Sequence, residues 1–189
     1  MKITITGPRS VGKTTISKLL AKRLKLKYIS SDEIGNKALK KEGGLDKAIK
    51  TGKIKKIIEK EGYSLTERVY KKEKKFVFDL SGGSFTSKKF KEASKKVREI
   101  AKKESFVVGL LPSKNTFKSF ITLFKRESQR ERFKNYGKFF MLYKTIKHYR
   151  KFPKILKKNC NIIIYTENKT PREIINEIIK KINENRNTL

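Results

Sequence analysis

The residues with the most specific chemical meaning are Gly7-Pro8-Arg9-Ser10-Val11-Gly12-Lys13-Thr14, which satisfy the spacing G-x-x-x-x-G-K-[ST]. Glycines at the two ends of such a loop let backbone N–H groups turn inward and cradle a chain of phosphates. The Lys13 ammonium can reach the β- and γ-phosphates, the Thr14 hydroxyl can ligate Mg²⁺, and Thr15 continues the cradle. Context supports the motif. Ile3 and Ile5 alternate with Thr4 and Thr6, as in a strand, and Ile16, Leu19, Leu20 and Leu24 recur at helical spacing. Strand, glycine loop and a helix from about Lys13 to Lys25 place a helix N-terminus against bound phosphate. ATP and Mg²⁺ are the expected ligands. A second chemical group follows from Phe76-Val77-Phe78-Asp79, an apolar strand that ends in a carboxylate. That is the pattern by which a neighbouring strand offers an aspartate to the metal of a phosphate loop. Thr14 and Asp79 are therefore the expected metal residues.

The elements that must position these groups alternate along the chain. Short apolar strands are expected at Met1 to Thr6, Lys27 to Ile29, Phe76 to Leu80, Phe106 to Leu111 and Asn161 to Tyr165, with helices between. This predicts an α/β domain of three layers with a five-stranded parallel sheet. The last helix carries a start signal, with Thr170 as N-cap, Pro171 at the first position and Glu173 completing a capping box. Ile174, Ile175, Ile178, Ile179 and Ile182 form its buried stripe. The polar helical stretch from about 32 to 75 reads as a small substrate-holding insertion, and 125–137 as a lid. One domain is expected over 1–189.

The formal net charge is +32, from fifty Lys and Arg against eighteen Asp and Glu. Such a field attracts polyanions at low salt and steers anionic small substrates into a cleft. The lysines are spread along the whole chain and not gathered into one arm, which fits a general compositional bias more closely than a dedicated nucleic-acid tail. The single cysteine, Cys160, excludes an internal disulfide. Neither it nor the lone His148 has the companions of a Cys/His metal site, so both are read as structural. No apolar run approaches a membrane span and the first strand begins at residue 2, so a cytoplasmic monomer is expected.

Further segments carry a family resemblance. Tyr28-Ile29-Ser30-Ser31-Asp32 follows the second strand; Glu61-Gly62-Tyr63-Ser64-Leu65-Thr66-Glu67-Arg68 ends in an arginine; Ser81-Gly82-Gly83 follows the third strand. Arg126, Arg130 and Arg132 fall in the lid, and Arg150-Lys151-Phe152-Pro153 comes after it. In order and spacing these resemble shikimate kinase, one of the nucleoside-monophosphate-kinase-like phosphate-loop kinases, from the first strand to the last helix. The resemblance implies ATP- and Mg²⁺-dependent phosphorylation of an acceptor hydroxyl, such as that of shikimate. It implies Lys13 with Arg126 and Arg130 on the transferring phosphoryl group and Asp32 on the acceptor hydroxyl. Arg68 and Arg150, with Gly82 and Gly83, would then hold an acceptor carboxylate. The chain departs from the pattern at Ser30, where the family has an aspartate, at Ser84, and in lacking the Arg-Pro-Leu-Leu lid signature. A nucleoside monophosphate kinase, whose arginines would hold an acceptor phosphate, is the alternative within the fold; a nucleic-acid-binding NTPase or polynucleotide kinase is the alternative outside it. Plainer roles exist for the same residues. Asp32 can cap a helix from Glu33, Arg68 can be solvated, and Gly82-Gly83 can be a turn. The lid arginines can pair with Glu127 and Glu131 on a surface.

Overall fold

A computed structural model of the protein describes residues 1–44, 47–48, 51, 54–129 and 137–186. Five strands form one sheet: β1 (Lys2–Thr6), β2 (Lys27–Ser30), β3 (Phe76–Asp79), β4 (Phe106–Leu111) and β5 (Ile162–Tyr165). Their order is β2-β3-β1-β4-β5, and every pair is parallel. Continuous apolar runs such as Phe106-Val107-Val108 and Ile162-Ile163-Ile164 are what strands covered on both faces require. The five-stranded parallel sheet expected from the sequence is therefore present, with strand ends shifted by a residue: β2 runs on to Ser30, β3 stops at Asp79 and β5 starts at Ile162.

The helices are α1 (Lys13–Leu24), α2 (Ser31–Ala38), α3 (Ile54–Lys72), α4 (Gly82–Thr86), α5 (Lys91–Glu104), α6 (Thr116–Ser128), α7 (Lys138–Tyr149), α8 (Phe152–Asn159) and α9 (Pro171–Arg186). The capping box of α9 forms as expected: the Glu173 N–H donates to Thr170 Oγ1 at 3.3 Å, and the Thr170 N–H donates to Glu173 Oε2 at 2.7 Å. The end of α3 belongs to the main core. Val69 and Tyr70 are buried, the Tyr70 ring lies 5.7 Å from those of Phe76 and Phe78, and its hydroxyl is 2.7 Å from Thr4 Oγ1 on the central strand. Of the segment expected as a lid, Lys125 to Ser128 completes α6. Arg130 and Arg132 lie outside the described residues.

Cys160 has the structural character expected of it. Burial pushes its thiol up to about 12, and Gly109 of β4 packs so closely that a Cβ there would lie 3.0 Å from the sulfur. Among the described residues no helix is long and apolar enough to cross a membrane.

Candidate active site

β1 is the central strand, and the glycine loop leaves its carboxyl end. Gly12 holds φ +102° as the N-cap of α1, and Ser10 adopts a left-handed φ of 65°. A non-glycine residue in that region persists only where its surroundings hold it, as in a ligand-clamping loop. The Lys13 ammonium donates to the Pro8 carbonyl at 3.0 Å, folding the side chain back over the loop. Ser10 Oγ is buried without a hydrogen-bond partner among the described residues. An orphaned buried hydroxyl in a glycine loop of this spacing can donate to an anionic oxygen.

Parallel pairing brings Asp79 beside this loop. Its Cα partners are Ile5 on β1 and Ser30 on β2. Thr14 Oγ1 donates to Asp79 Oδ2 at 2.6 Å, and the Tyr28 hydroxyl donates to the same oxygen at 3.4 Å. Burial, with the Asp79 charge adding to it, pushes Tyr28 up to about 12, so it stays a donor. A hydroxyl and a carboxylate converging on one point, among oxygen donors only, suit Mg²⁺, which binds through few protein oxygens and substrate phosphates. Ser30 stands opposite Asp79. It caps α2 by accepting the Glu33 N–H at 3.3 Å, so the cap is Ser30 and not Asp32, which is the second residue of the helix.

A hydrogen bond from the Ser81 N–H to Ser31 Oγ at 2.8 Å joins the start of α2 to the end of β3. Next to it, Gly82 opens α4 with no room for a side chain. An added Cβ would sit 2.2 Å from the Gly7 carbonyl oxygen and 2.9 Å from the Phe152 ring. We expect Gly82→Ala to destabilise the protein by about 1–3 kcal/mol, the usual cost of overpacking, read as a lower urea midpoint. A midpoint equal to the wild type would show that the contact with the loop yields freely.

The far side of the loop is held by α6. Arg126 Nη1 reaches the carbonyls of Ser10 and Val11, each at 3.4 Å. Glu127, which the plainer reading of the lid arginines puts on a surface, is 3% exposed. Its Oε1 accepts Arg9 Nε at 2.8 Å and its Oε2 accepts the Thr145 hydroxyl of α7 at 2.8 Å. The correction has a simple cause: Ser119, Leu123 and Glu127 are spaced i, i+4, i+8 and share the buried stripe of α6. That spacing was the available signal, and charge type alone concealed it.

His148 lies 5.0 Å from the Phe152 ring, ring centre to ring centre. Burial first, then the charges of Arg9, Lys151 and Lys13, hold it far below its ordinary value, at about 3. The folded protein keeps it neutral while the unfolded chain protonates near pH 6.5. The unfolded state thus binds more protons as pH falls, and stability declines from about pH 6.5 towards pH 3 by up to about 1.4 kcal/mol per pH unit. His148→Gln should flatten that part of a urea-midpoint-against-pH curve; an unchanged slope would show that other groups set it.

Arg68 and Arg150 are both exposed, on α3 and between α7 and α8. Lys151 is half-buried, and burial, then the charge of Lys88, holds its ammonium below the usual lysine value. Asp32 lies in the first turn of α2, which follows β2, and Gly82 and Gly83 open α4, which follows β3.

The model of the cytidylate kinase-like family matches residues 2–135, which include the loop, Asp32, Asp79, Gly82 and Arg126. The chain belongs to the cytidylate kinase-like family. Among curated proteins it is similar to the cytidylate kinase of Sulfurisphaera tokodaii, 49% identical over 43 residues, covering 23% of this chain and 24% of that protein. The match thus spans about a quarter of the length of that relative. Among solved structures it is similar to shikimate kinase from Acinetobacter baumannii in complex with shikimate, with a TM-score of 0.64, 22% identity, and 97% of this chain and 93% of that chain covered. It is also similar to shikimate kinase from Bacteroides thetaiotaomicron, with a TM-score of 0.68, 15% identity, and 97% and 96% covered. The fold expected from the resemblance is therefore the fold of this family member, that of the phosphate-loop kinases.

Proposed function

We propose that this family member is an ATP- and Mg²⁺-dependent kinase that transfers the γ-phosphoryl group to a nucleoside monophosphate of the cytidylate class. The observation that carries the ATP and Mg²⁺ part is the 2.6 Å contact between Thr14 and Asp79 at the mouth of the loop. The loop N–H groups and Lys13 hold the triphosphate and neutralise its charge; Thr14 and Asp79 hold the metal, which supplies charge neutralisation to the β- and γ-phosphates. Arg126, with Arg130 in the adjoining segment, adds positive charge on the transferring group. The half-buried Lys151, with Arg150 and Arg68, would offer cations to the acceptor's anionic group, and Gly82 and Gly83 would offer backbone N–H groups to it. The family match over residues 2–135 supports the nucleotide acceptor.

Asp32 favours a second reading, a hydroxyl acceptor as in shikimate. A phosphate oxygen attacks without losing a proton, whereas a hydroxyl must give one up, and a carboxylate at the start of α2 can take it. The deciding experiment is ADP formation from ATP and Mg²⁺ with CMP, dCMP, other nucleoside monophosphates, shikimate and a 5′-hydroxyl oligonucleotide, each against no acceptor. Stimulation by CMP or dCMP supports the proposal. Stimulation by shikimate alone moves the acceptor to a hydroxyl. Stimulation by none of them overturns both readings.

A further inference from the structure

Six large hydrophobic side chains are exposed among the described residues, and all but Leu19 lie on α6 or α7. On α7, Phe139 is 90% exposed and Tyr143 59%, one helical turn apart. They point away from Met141, Thr145 and Tyr149, which form the buried stripe of that helix. The two rings are therefore not needed by the core, which α7 already completes with other residues.

The charge around them is one-sided. From Arg132 to Thr166 the sequence has ten Lys and Arg and no Asp or Glu, the longest acid-free stretch in the chain. Two of these lysines accompany exposed rings: Lys144 Nζ stands 4.3 Å from the Phe140 ring centre, and Lys147 Nζ 5.5 Å from that of Tyr143. Lys138 opens the same helix. A second copy of the chain is a poor occupant, because +32 would meet +32. What this face complements is a polymer that is anionic at regular intervals and presents flat apolar surfaces between the charges. A single strand of nucleic acid has that chemistry: bases stack on aromatic rings, and phosphates meet the ammonium groups beside them.

We infer that the outer face of α7 binds single-stranded nucleic acid, with Phe139 and Tyr143 as stacking platforms and Lys138, Lys144 and Lys147 on the phosphates. This inference does not depend on the kinase reading, so Lys13→Met should bind as the wild type does.

The test is fluorescence anisotropy of the full chain with a labelled oligothymidylate of about fifteen nucleotides, titrated over a range of salt. Combined Phe139→Ala and Tyr143→Ala should weaken binding by at least about tenfold and leave the log–log salt slope unchanged, since stacking is lost and phosphate contacts are not. Combined Lys138→Gln, Lys144→Gln and Lys147→Gln should reduce the slope by about 2, from roughly 0.7 per phosphate contact. The substituted side chains are exposed or at the helix surface, and an unaltered melting curve checks that each variant folds. Wild-type affinity in the aromatic variant would overturn the inference, leaving only diffuse attraction. Equal affinity for duplex and single strand would also overturn it, as would binding to anionic phosphatidylserine vesicles without binding to the oligonucleotide.

Discussion

Lys13→Met should reduce ADP formation by about 10²–10³-fold or more while the protein keeps its melting temperature. The magnitude is that of removing one preorganised charge from a phosphoryl-transfer site, where stabilising developing charge is most of the catalytic work. The structure explains why the fold should survive. The Lys13 ammonium donates to the Pro8 carbonyl within its own loop, and α1 is anchored instead by Ile16, Leu20 and Ala21 in the core. Methionine keeps the length and the apolar stem. ATP turnover measured beside a thermal melt separates the two effects. Full turnover in the folded variant would refute the assignment of the loop as the site of chemistry.

Asp79→Asn should shift the Mg²⁺ dependence of turnover to higher concentration, by about 10- to 100-fold, the range found when groups that orient a metal are altered. The substitution preserves shape. Asparagine's carbonyl can still accept from the Thr14 hydroxyl, which now donates to Oδ2 at 2.6 Å, and from Tyr28. What disappears is the negative charge that makes the point attractive to a divalent cation. The loss should therefore be partly recovered at high Mg²⁺, a rescue that a merely misfolded variant would not show. On the proposed reading Asp79 carries the metal's carboxylate alone, because its opposite number on β2 is Ser30, which caps α2 and carries no charge. An Mg²⁺ titration superimposable on the wild type would remove Asp79 from the metal site.

The parts of this molecule that were legible in the sequence are those fixed by short-range pattern. The strand, loop and helix around Gly7 to Thr14, the capping box at Thr170 and the five apolar strands each lie within a few residues of one another. The place of Asp79 at the end of a strand beside Thr14 was legible because it closes a run of Phe and Val. What could not be read depends on contacts between distant segments. Glu127 reads as one more surface acid among arginines until α6 packs and turns its i, i+4, i+8 stripe inward, where Arg9 and Thr145 meet it. Lys151 and Arg150 are adjacent and alike in charge, and only the turn between α7 and α8 decides which is half-buried. Ser30, conspicuous as a missing aspartate, gains its cap from the position where β2 happens to end.

The strand order carries a consequence for how the chain reaches this state. β1 is hydrogen-bonded to β3 and β4 and not to β2, its neighbour in sequence; Ile5 stands between Asp79 on one side and Val108 on the other. Both edges of the first strand therefore wait for residues made much later. Closing such long loops before any ladder bond forms is slow. At about 5–20 residues per second of synthesis, several seconds pass with those edges open to unwanted pairing. During that interval the Thr14–Asp79 pair does not exist, so nucleotide cannot act as a folding template. Binding of ATP should appear only at the end of refolding, together with burial of Ile5.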